Sequence, residues 1–378
     1  MHAAREAVEQ ARSALGGATP DWCIAFATSE HWERIGELLD SLAAAAGTPY
    51  IAGCSAAGVI ASGREVDGEP ALGVLAVSSD EMRGTPFLFH DDGDQGLTAG
   101  LRIGQRLMSS QGTSDLVIVW PDPYHVRPDR LLQGIDATLG AIPVAGGAAS
   151  GNGNDAETFQ FCGVESSESA VSGIRLGGSF RSTVGITQGC RPFSAPLLVT
   201  RSHRNLILEV EGQSALDALR ACAPAEALDN PNLIFSQIFV GLLPDPEGQL
   251  TTTGEYLIRN IVAADPDTGV LAIADVVEEG QRILFAIREP RSARDDLARM
   301  IERVKAQRGG QTHRFGLYFD CLARGRALYG KRGVDAEILA QAFPDLPVLG
   351  FFCNAELAPL RGVNHLFTYT GVLVLVGE

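Results

Sequence analysis

Three short apolar runs set the rhythm of this chain. Each leads into a helical pattern and then into a second apolar run that ends on glycine. Asp21 to Ser29, DWCIAFATS, is apolar almost throughout, as a strand covered on both faces would be. Behind it Ile35, Leu38, Leu39 and Leu42 recur at the i, i+3, i+4, i+7 spacing of one helix face. TPYIAGCSAAGVI and the strand-like ALGVLAVS follow. The same order returns at SDLVIVWPD (Ser114 to Asp122), with Leu131, Leu132, Ile135 and Leu139 on its helix, then AIPVAGGAASG and AVSGIRLGG. It returns again at HRFGLYFDC (His313 to Cys321), with Ile338, Leu339, Ala342 and Phe343, then DLPVLGFFCNAEL and YTGVLVLVG. The pattern predicts a strand-helix-strand-strand unit that repeats, with first strands at Cys23–Ala27, Leu116–Trp120 and Phe315–Phe319.

In each unit the second strand follows a proline and ends on glycine: Gly53, the pair Gly146 and Gly147, and Gly350. Glycine there marks close backbone approach or a positive φ. Simple turns would explain that. Small polar residues after three equivalent strand ends also suggest a binding surface, because α/β sheets place ligands at such loops. Between the second and third units the chain reads differently. NLIFSQIFVGLLPD, EYLIRNIVAAD, GVLAIADVV and RILFAIRE alternate apolar and polar residues between Pro, Gly and Asp, a run of antiparallel strands. A helix over Ser292–Ala306 follows, with Ser292 and Asp295 as a capping box. The expected class is α/β with α+β character: two domains with mixed sheets and flanking helices. The Pro-rich GCRPFSAP divides them, giving domains over 1–195 and 196–378.

Composition narrows the function classes. With 46 acidic against 30 basic residues the net charge is −16, which opposes phosphate-backbone binding, so no nucleic-acid partner is expected. Arg288, Arg291, Arg294 and Arg299 alternate with Glu289, Asp295 and Asp296 and read as a solvated helix face. No window approaches the ~20 apolar residues of a membrane span, and MHAAREAVEQARSALGG lacks a signal-peptide core. The seven cysteines are scattered without a C-x-x-C pair, so a reduced, cytoplasmic protein is expected.

Candidate chemistry gathers near the C-terminus, where Asp320, Cys321, Arg324, Cys353, Asn354, Glu356 and His365 lie within one repeat unit. Zinc would call for tighter pairs than these, and no metal or other cofactor is expected. A thiol nucleophile with His365 as its base is one reading, though nothing local marks Cys321 or Cys353 as activated. Mutual satisfaction in the core is a second. A pocket for a zwitterion is the third, Arg324 taking a carboxylate and Glu356 an amine. That pocket would hold Arg324 and Glu356 on loops facing a shared cleft with Cys321 and Asn354. Elsewhere GCSAAG (Gly53 to Gly58) approaches the G-x-S-x-G nucleophile elbow but carries one residue too many. GGAASGNGN (Gly146 to Asn154) lacks the lysine of a phosphate-binding loop, and its GNGND stretch reads as a loop whose amides could hold an anion.

PYIAGCSAAGVI, IPVAGGAAS, FDCLARG and LPVLGFFCNAELAP, followed by His365, fall in an order that resembles FIST proteins, from about residue 20 to the end. The family's G-C-S-x-x-G falls on Gly53, Cys54, Ser55 and Gly58, and its G-G-x-A on Gly146, Gly147 and Ala149. Its V-R pair falls on Ile258 and Arg259, and its F-x-C-x-x-R on Phe319, Cys321 and Arg324. Its late G-E-I falls on Ala355, Glu356 and Leu357, where alanine replaces the glycine. The resemblance implies an N-terminal and a C-terminal FIST domain and a sensory module for a small ligand, with amino acids among the candidate ligands. With no fused output domain, signalling would pass through a separate partner. A Cys- or Ser-dependent hydrolase or transferase is the alternative.

Overall fold

The computed structural model describes residues 2–108, 114–140, 142–152, 157–224, 235–244, 255–307 and 312–377. It divides into two compact units: residues 1–186, 298–366 and 371–378 form the first, and 187–297 with 367–370 the second.

The first unit carries the repeat. Helix α1 (His2–Ala14) leads into copy 1: β1 (Trp22–Thr28), α2 (Ile35–Ala46), β2 (Ile51–Ala56), the hairpin β3 (Gly58–Ala61) and β4 (Arg64–Asp67), and β5 (Leu72–Val77). Strand β6 (Met82–His90) and α3 (Leu97–Met108) lead into copy 2: β7 (Ser114–Pro121), α4 (Pro128–Leu139), β8 (Val144–Gly147), the hairpin β9 (Gln160–Cys162) and β10 (Glu165–Ser167), and β11 (Ala170–Gly178). After β12 (Arg181–Gln188) come the elements of the second unit. These are β13 (Cys190–Pro192), β14 (Leu197–His203), β15 (Leu206–Val210), β16 (Gln213–Ser214), α5 (Ala215–Cys222), β17 (Ile238–Leu242), β18 (Leu257–Ala264), β19 (Leu271–Ile273) and β20 (Arg282–Arg288). Helix α6 (Pro290–Gln307) then opens copy 3: β21 (His313–Cys321), α7 (Gly325–Tyr329), α8 (Val334–Ala342), β22 (Val348–Cys353), the hairpin β23 (Glu356–Leu360) and β24 (Val363–Phe367), and β25 (Thr370–Gly377).

In every copy the first strand pairs parallel with the second and antiparallel with the last. The register repeats as well. Gly53 faces Ala25, Gly146 faces Val119 and Gly350 faces Tyr318, each the third residue pair of its ladder. A Cβ on these glycines would stand 1.7, 2.0 and 2.0 Å from the carbonyl oxygen of the facing residue. No side chain fits so close to backbone, and that is why all three units need glycine there. The expected strands and the repeat therefore stand on geometry.

The sequence pattern did not disclose where the hairpins go. The hairpin of copy 1 pairs with β22 of copy 3, that of copy 3 with β8 of copy 2, and that of copy 2 with β2 of copy 1. The three sheets are thus laced in a cycle, and no copy completes its sheet alone. At one equivalent strand position stand Phe26, Trp120 and Phe319, all fully buried. Phe26 meets Trp120 edge-on at 5.4 Å, and Phe351 lies 4.5 Å from Phe26 and 5.9 Å from Phe319. Each such pair contributes roughly 0.5–1.5 kcal/mol beyond its burial. The layer joining the copies is packed aromatic core.

In the second unit, β14, β15, β19, β18, β17 and β20 pair in that order, and β20 returns to β17, so the six strands close a barrel. Closure removes the exposed edges that six short strands would otherwise present. Val199, Ile207, Val210, Val240, Ile261 and Phe285 fill it. The antiparallel run foreseen between the second and third units is this barrel. Helix α6 begins two residues earlier than the expected capping box. Ser292 lies inside its first turn and donates to Glu289. Asp296 instead accepts from the Gln188 amide at 2.7 Å.

Candidate functional site

The three strand-end loops meet within the first unit. Ala57 N donates to Ser150 Oγ at 2.8 Å, and Ser150 N to the Ser55 carbonyl at 3.2 Å. Ala148 N donates to Ala355 O at 2.8 Å, and Asn354 N returns to Ala148 O at 3.1 Å. The Asn354 side chain donates to Ala149 O at 3.2 Å. The polar groups expected to form a binding surface are spent largely on one another. Ser55 and Ser150 are fully buried, and the Ser55 hydroxyl accepts from Phe159 N at 3.1 Å. Ser55 sits within β2, which passes into β3, so no strand-to-helix elbow is formed. Cys54 is fully buried, and burial pushes its thiol well above the ordinary range. Gly58 opens β3, where a Cβ would stand 2.8 Å from Val66 O. Of GNGND, residues 153–155 lie outside the described residues.

The other candidates gather around β21, though not as a cleft lined by loops. Arg324 is 1 % exposed, and α7 starts at the next residue. Its Nε and Nη2 donate to Asp335 Oδ2 at 3.0 and 2.7 Å, and Nη2 also donates to the Tyr329 hydroxyl at 3.0 Å. Tyr318 Oη donates to the same Asp335 oxygen at 3.0 Å. Arg324 Nε also lies 2.9 Å from Asp320 Oδ1, but its N–H is directed at Asp335. As a result both Asp320 oxygens, Asp335 Oδ1 and Arg324 Nη1 are buried without a hydrogen-bond partner. Glu65, carried in by the exchanged hairpin of copy 1, accepts from Gly333 N at 2.7 Å and from Ala336 N at 3.4 Å, capping α8.

Burial and then the Asp335 charge drive the Asp320 carboxyl well above its usual range, with Arg324 opposing them. Burial also works against the Arg324 charge, but Asp335 and the neighbouring tyrosines and Asp320 outweigh it and hold the guanidinium charged. Burial raises Glu65 too, against the Gly333, Ala336 and Asp335 amides that favour its anion. The Arg324–Asp335 pair is therefore the ionic heart of the cluster, and Asp320 beside it favours its protonated form.

Cys321 and Cys353 are register partners on β21 and β22. Cys353 Sγ lies 3.2 Å from Asp320 O and 3.4 Å from Glu356 Oε1, either of which accepts from it. Burial, Glu356 and Cys321 all push the Cys353 thiol up. That is the reverse of an activated nucleophile. Glu356 is fully buried, pairs in register with Gly147 and is one of the weaker influences on Asp320. A Cβ on Gly147 would stand 2.8 Å from Cys353 Sγ, so Gly147, Cys353 and Glu356 do come together. His365 is half-buried on β24, the outer strand of its sheet. Arg259 belongs to the second unit, where it donates to Asp275 at 2.6 Å and to Ile258 O at 2.8 Å.

Sequence reasoning missed Asp335, Tyr318, Tyr329 and Glu65. The available signal was Asp335 itself, an acid between Val334 and Ala336 and one turn before Leu339 on the buried face of α8. It also missed Asp122, another fully buried aspartate. Asp122 accepts from Tyr124 N at 3.0 Å, His125 N at 3.3 Å, Thr158 Oγ1 at 3.0 Å and the His125 ring. Among the described residues no group of three or more His, Cys, Asp or Glu is arranged to hold a metal ion. Among them, too, no helix is long and apolar enough to cross a membrane.

Comparison with known proteins places this geometry in a family. Residues 21–213 match the FIST N domain and residues 215–359 the FIST C domain, the two meeting at β16, which pairs with barrel strand β15. An uncharacterised protein of Mycobacterium tuberculosis (strain ATCC 25618 / H37Rv) is 31 % identical over 373 residues, spanning 99 % of this chain and 95 % of that protein. An uncharacterised protein of Mycobacterium bovis (strain ATCC BAA-935 / AF2122/97) is 30 % identical over the same shares. Two domain matches in this order, with relatives aligned over nearly the whole chain, make this protein a member of the FIST family.

Proposed function

We propose that this protein is a sensor that binds a small polar metabolite, an amino acid or a close relative, at the Arg324 cluster and signals through a separate protein. One observation carries the reading. A fully buried arginine stands between two fully buried aspartates, and the cluster leaves one donor, Arg324 Nη1, and three carboxyl oxygens unmet. Unmet buried polar atoms each cost about 1–3 kcal/mol, so a solute bearing both acceptor and donor groups relieves several at once. A carboxylate suits Arg324 Nη1, and an amine suits Asp335 Oδ1 and Asp320. The seven free cysteines fit a reducing compartment such as the cytoplasm. Thiol or serine chemistry finds little footing, because Cys54 and Cys353 are buried with raised pKa and Ser55 is engaged by backbone.

Thermal-shift measurement against the amino acids and small carboxylates tests this. A binder selective for the native state raises Tm by mass action, and Asp320→Asn reduces that shift while the protein stays folded. A shift of equal size in Asp320→Asn places the ligand elsewhere. A full panel without any shift removes the amino-acid reading.

A further inference from the structure

Among the described residues, copies 2 and 3 each carry a strand with no counterpart in copy 1. In copy 2, β6 runs antiparallel along the outer edge of β11 over nine residue pairs, from Ala170↔His90 to Gly178↔Met82. In copy 3, β12 takes the same place beside β25. Both lie before the helix that leads their copy, in the orders β6, α3, β7 and β12, α6, β21. In copy 1 the leading helix is α1, and β5 is the edge of its sheet among the described residues.

The phase of the ladder shows what that edge offers. Cys23 N bonds toward β2, to Tyr50 O, and Thr28 N bonds toward the β5 side, to Ala71 O. By antiparallel alternation Gly73, Leu75 and Val77 turn their amides to β1, and Leu72, Val74 and Ala76 turn theirs to the open edge. A groove of about 1180 Å³ runs there, bordered by residues 72–82, by α1 and by α8. Leu75, Val77, Phe315, Leu339, Phe343 and Leu346 are among its apolar walls. It also reaches Ile60 and Ala61 of β3 in the neighbouring sheet. β6 occupies a comparable place: Gly84 packs so close to Trp22 of the next sheet that a Cβ would stand 2.5 Å from the ring.

We propose that this groove takes an extended segment of a partner protein, added antiparallel to β5 as the sixth strand of its sheet. Two strands of this same fold show the mode, main-chain pairing with alternate side chains turned into the core. Charge specifies the occupant further. Both internal strands carry arginine at their N-terminal end, Arg83 as the second residue of β6 and Arg181 as the first of β12. Arg83 faces Gly177, whose counterpart in copy 1 is Ser78. At that end the groove carries Asp80 and Glu81, with Asp345 also on its rim and Arg314 as its basic group. The fitting segment alternates apolar residues and bears a basic residue near its N-terminal end. A second copy fits poorly, since each chain carries −16 and would bring acid to acid. This docking site is independent of the Arg324 cluster.

The probes are two labelled peptides with the sequences of residues 82–90 and 181–188, titrated into the full chain by fluorescence anisotropy. At least one is expected to bind saturably. Binding should fall at least tenfold when alternate peptide amides are N-methylated, which removes ladder donors without changing side chains. Ala76→Pro, which deletes one outward amide, and Ala340→Trp, which fills the groove from an exposed position of α8, should each weaken binding at least tenfold. Circular dichroism establishes that the variants are folded, and the second variant serves if the first is not. No binding by either peptide, equal binding of the N-methylated forms, or binding undisturbed by Ala340→Trp overturns the proposal. So does a concentration-dependent dimer in sedimentation that Ala340→Trp abolishes, because the occupant is then a second copy.

Discussion

Asp122 and Asp320 invite comparison because they are alike in burial and unlike in company. Both are fully buried acids at the ends of equivalent first strands, one register position apart. Asp122 is enclosed by donors: two backbone amides, the Thr158 hydroxyl and the His125 ring. Asp320 has an arginine 2.9 Å away, yet neither of its oxygens accepts a hydrogen bond. One repeat architecture therefore supports a carboxylate closed by its own chain and another left chemically open. An acid that is completed internally is a structural post. One that is not keeps buried polar atoms unmet, which is the condition expected where a ligand completes the set.

The comparison breaks most directly at Arg324. Removing the guanidinium leaves the Asp335 carboxylate buried beside Asp320 with no counter-charge. Arg324→Ala should cost about 3–5 kcal/mol in urea unfolding. The sequence reading placed Arg324 on a loop facing a cleft shared with Glu356, an arrangement in which this variant would lose the ligand and leave the apo protein folded. Its 1 % exposure and its pairing with Asp335 argue otherwise. A loss below about 1 kcal/mol, the range of exposed pairs, would mean the cluster is open to water.

Asp122→Asn should cost about 1–3 kcal/mol, since an amide nitrogen replaces an acceptor and meets donors from Tyr124 or His125. The same change at Asp320 should act in the opposite direction. Folding keeps a proton on Asp320 that the unfolded chain releases above the ordinary value of 3.8. The native state then binds more protons than the unfolded one, and stability falls as pH rises from 3.8 toward the folded-state value. Asp320→Asn removes that titration. Its Tm should exceed the parent's by about 2–4 °C at neutral pH, and the gain should shrink as pH falls to the ordinary value. Melting curves across pH decide it, and a lower Tm at neutral pH would show that Asp320 is held as an anion.

How much of this contrast could be read from the sequence follows from what each feature depends on. The first strands were legible because they are covered on both faces, and such strands are plain apolar runs. The glycines were legible as strand ends, and the structure supplies their reason in the facing carbonyls of Ala25, Val119 and Tyr318. The hairpin exchange was not legible, because β3, β9 and β23 look the same whichever sheet they join. Register with a distant strand is a non-local choice. Barrel closure in the second unit is non-local in the same way. At the cluster, the motif residues Cys321, Arg324 and Glu356 were visible, but arginine is so seldom buried that its true environment was not. Asp335 lay hidden in a helix pattern, and Glu65 reaches the cluster only through the exchange between copies 1 and 3.

The finest test of the closed acid lies at Thr158. Its hydroxyl is nearly fully buried, donates to Asp122 Oδ1 at 3.0 Å and accepts from Gln160 Nε2 at 3.1 Å. Thr158→Val keeps the shape and removes both bonds. Asp122 keeps its two backbone amides and the His125 ring, so the acid stays enclosed, while the Gln160 amide loses an acceptor. The expected cost is about 0.5–1.5 kcal/mol, the scale of one net hydrogen bond, with no change in any ligand-induced thermal shift. A cost near zero would show that Asp122 is over-satisfied and that Thr158 is dispensable to it. A lost ligand shift in Thr158→Val would move the ligand from Asp320 toward Asp122 and reverse the assignment of open and closed.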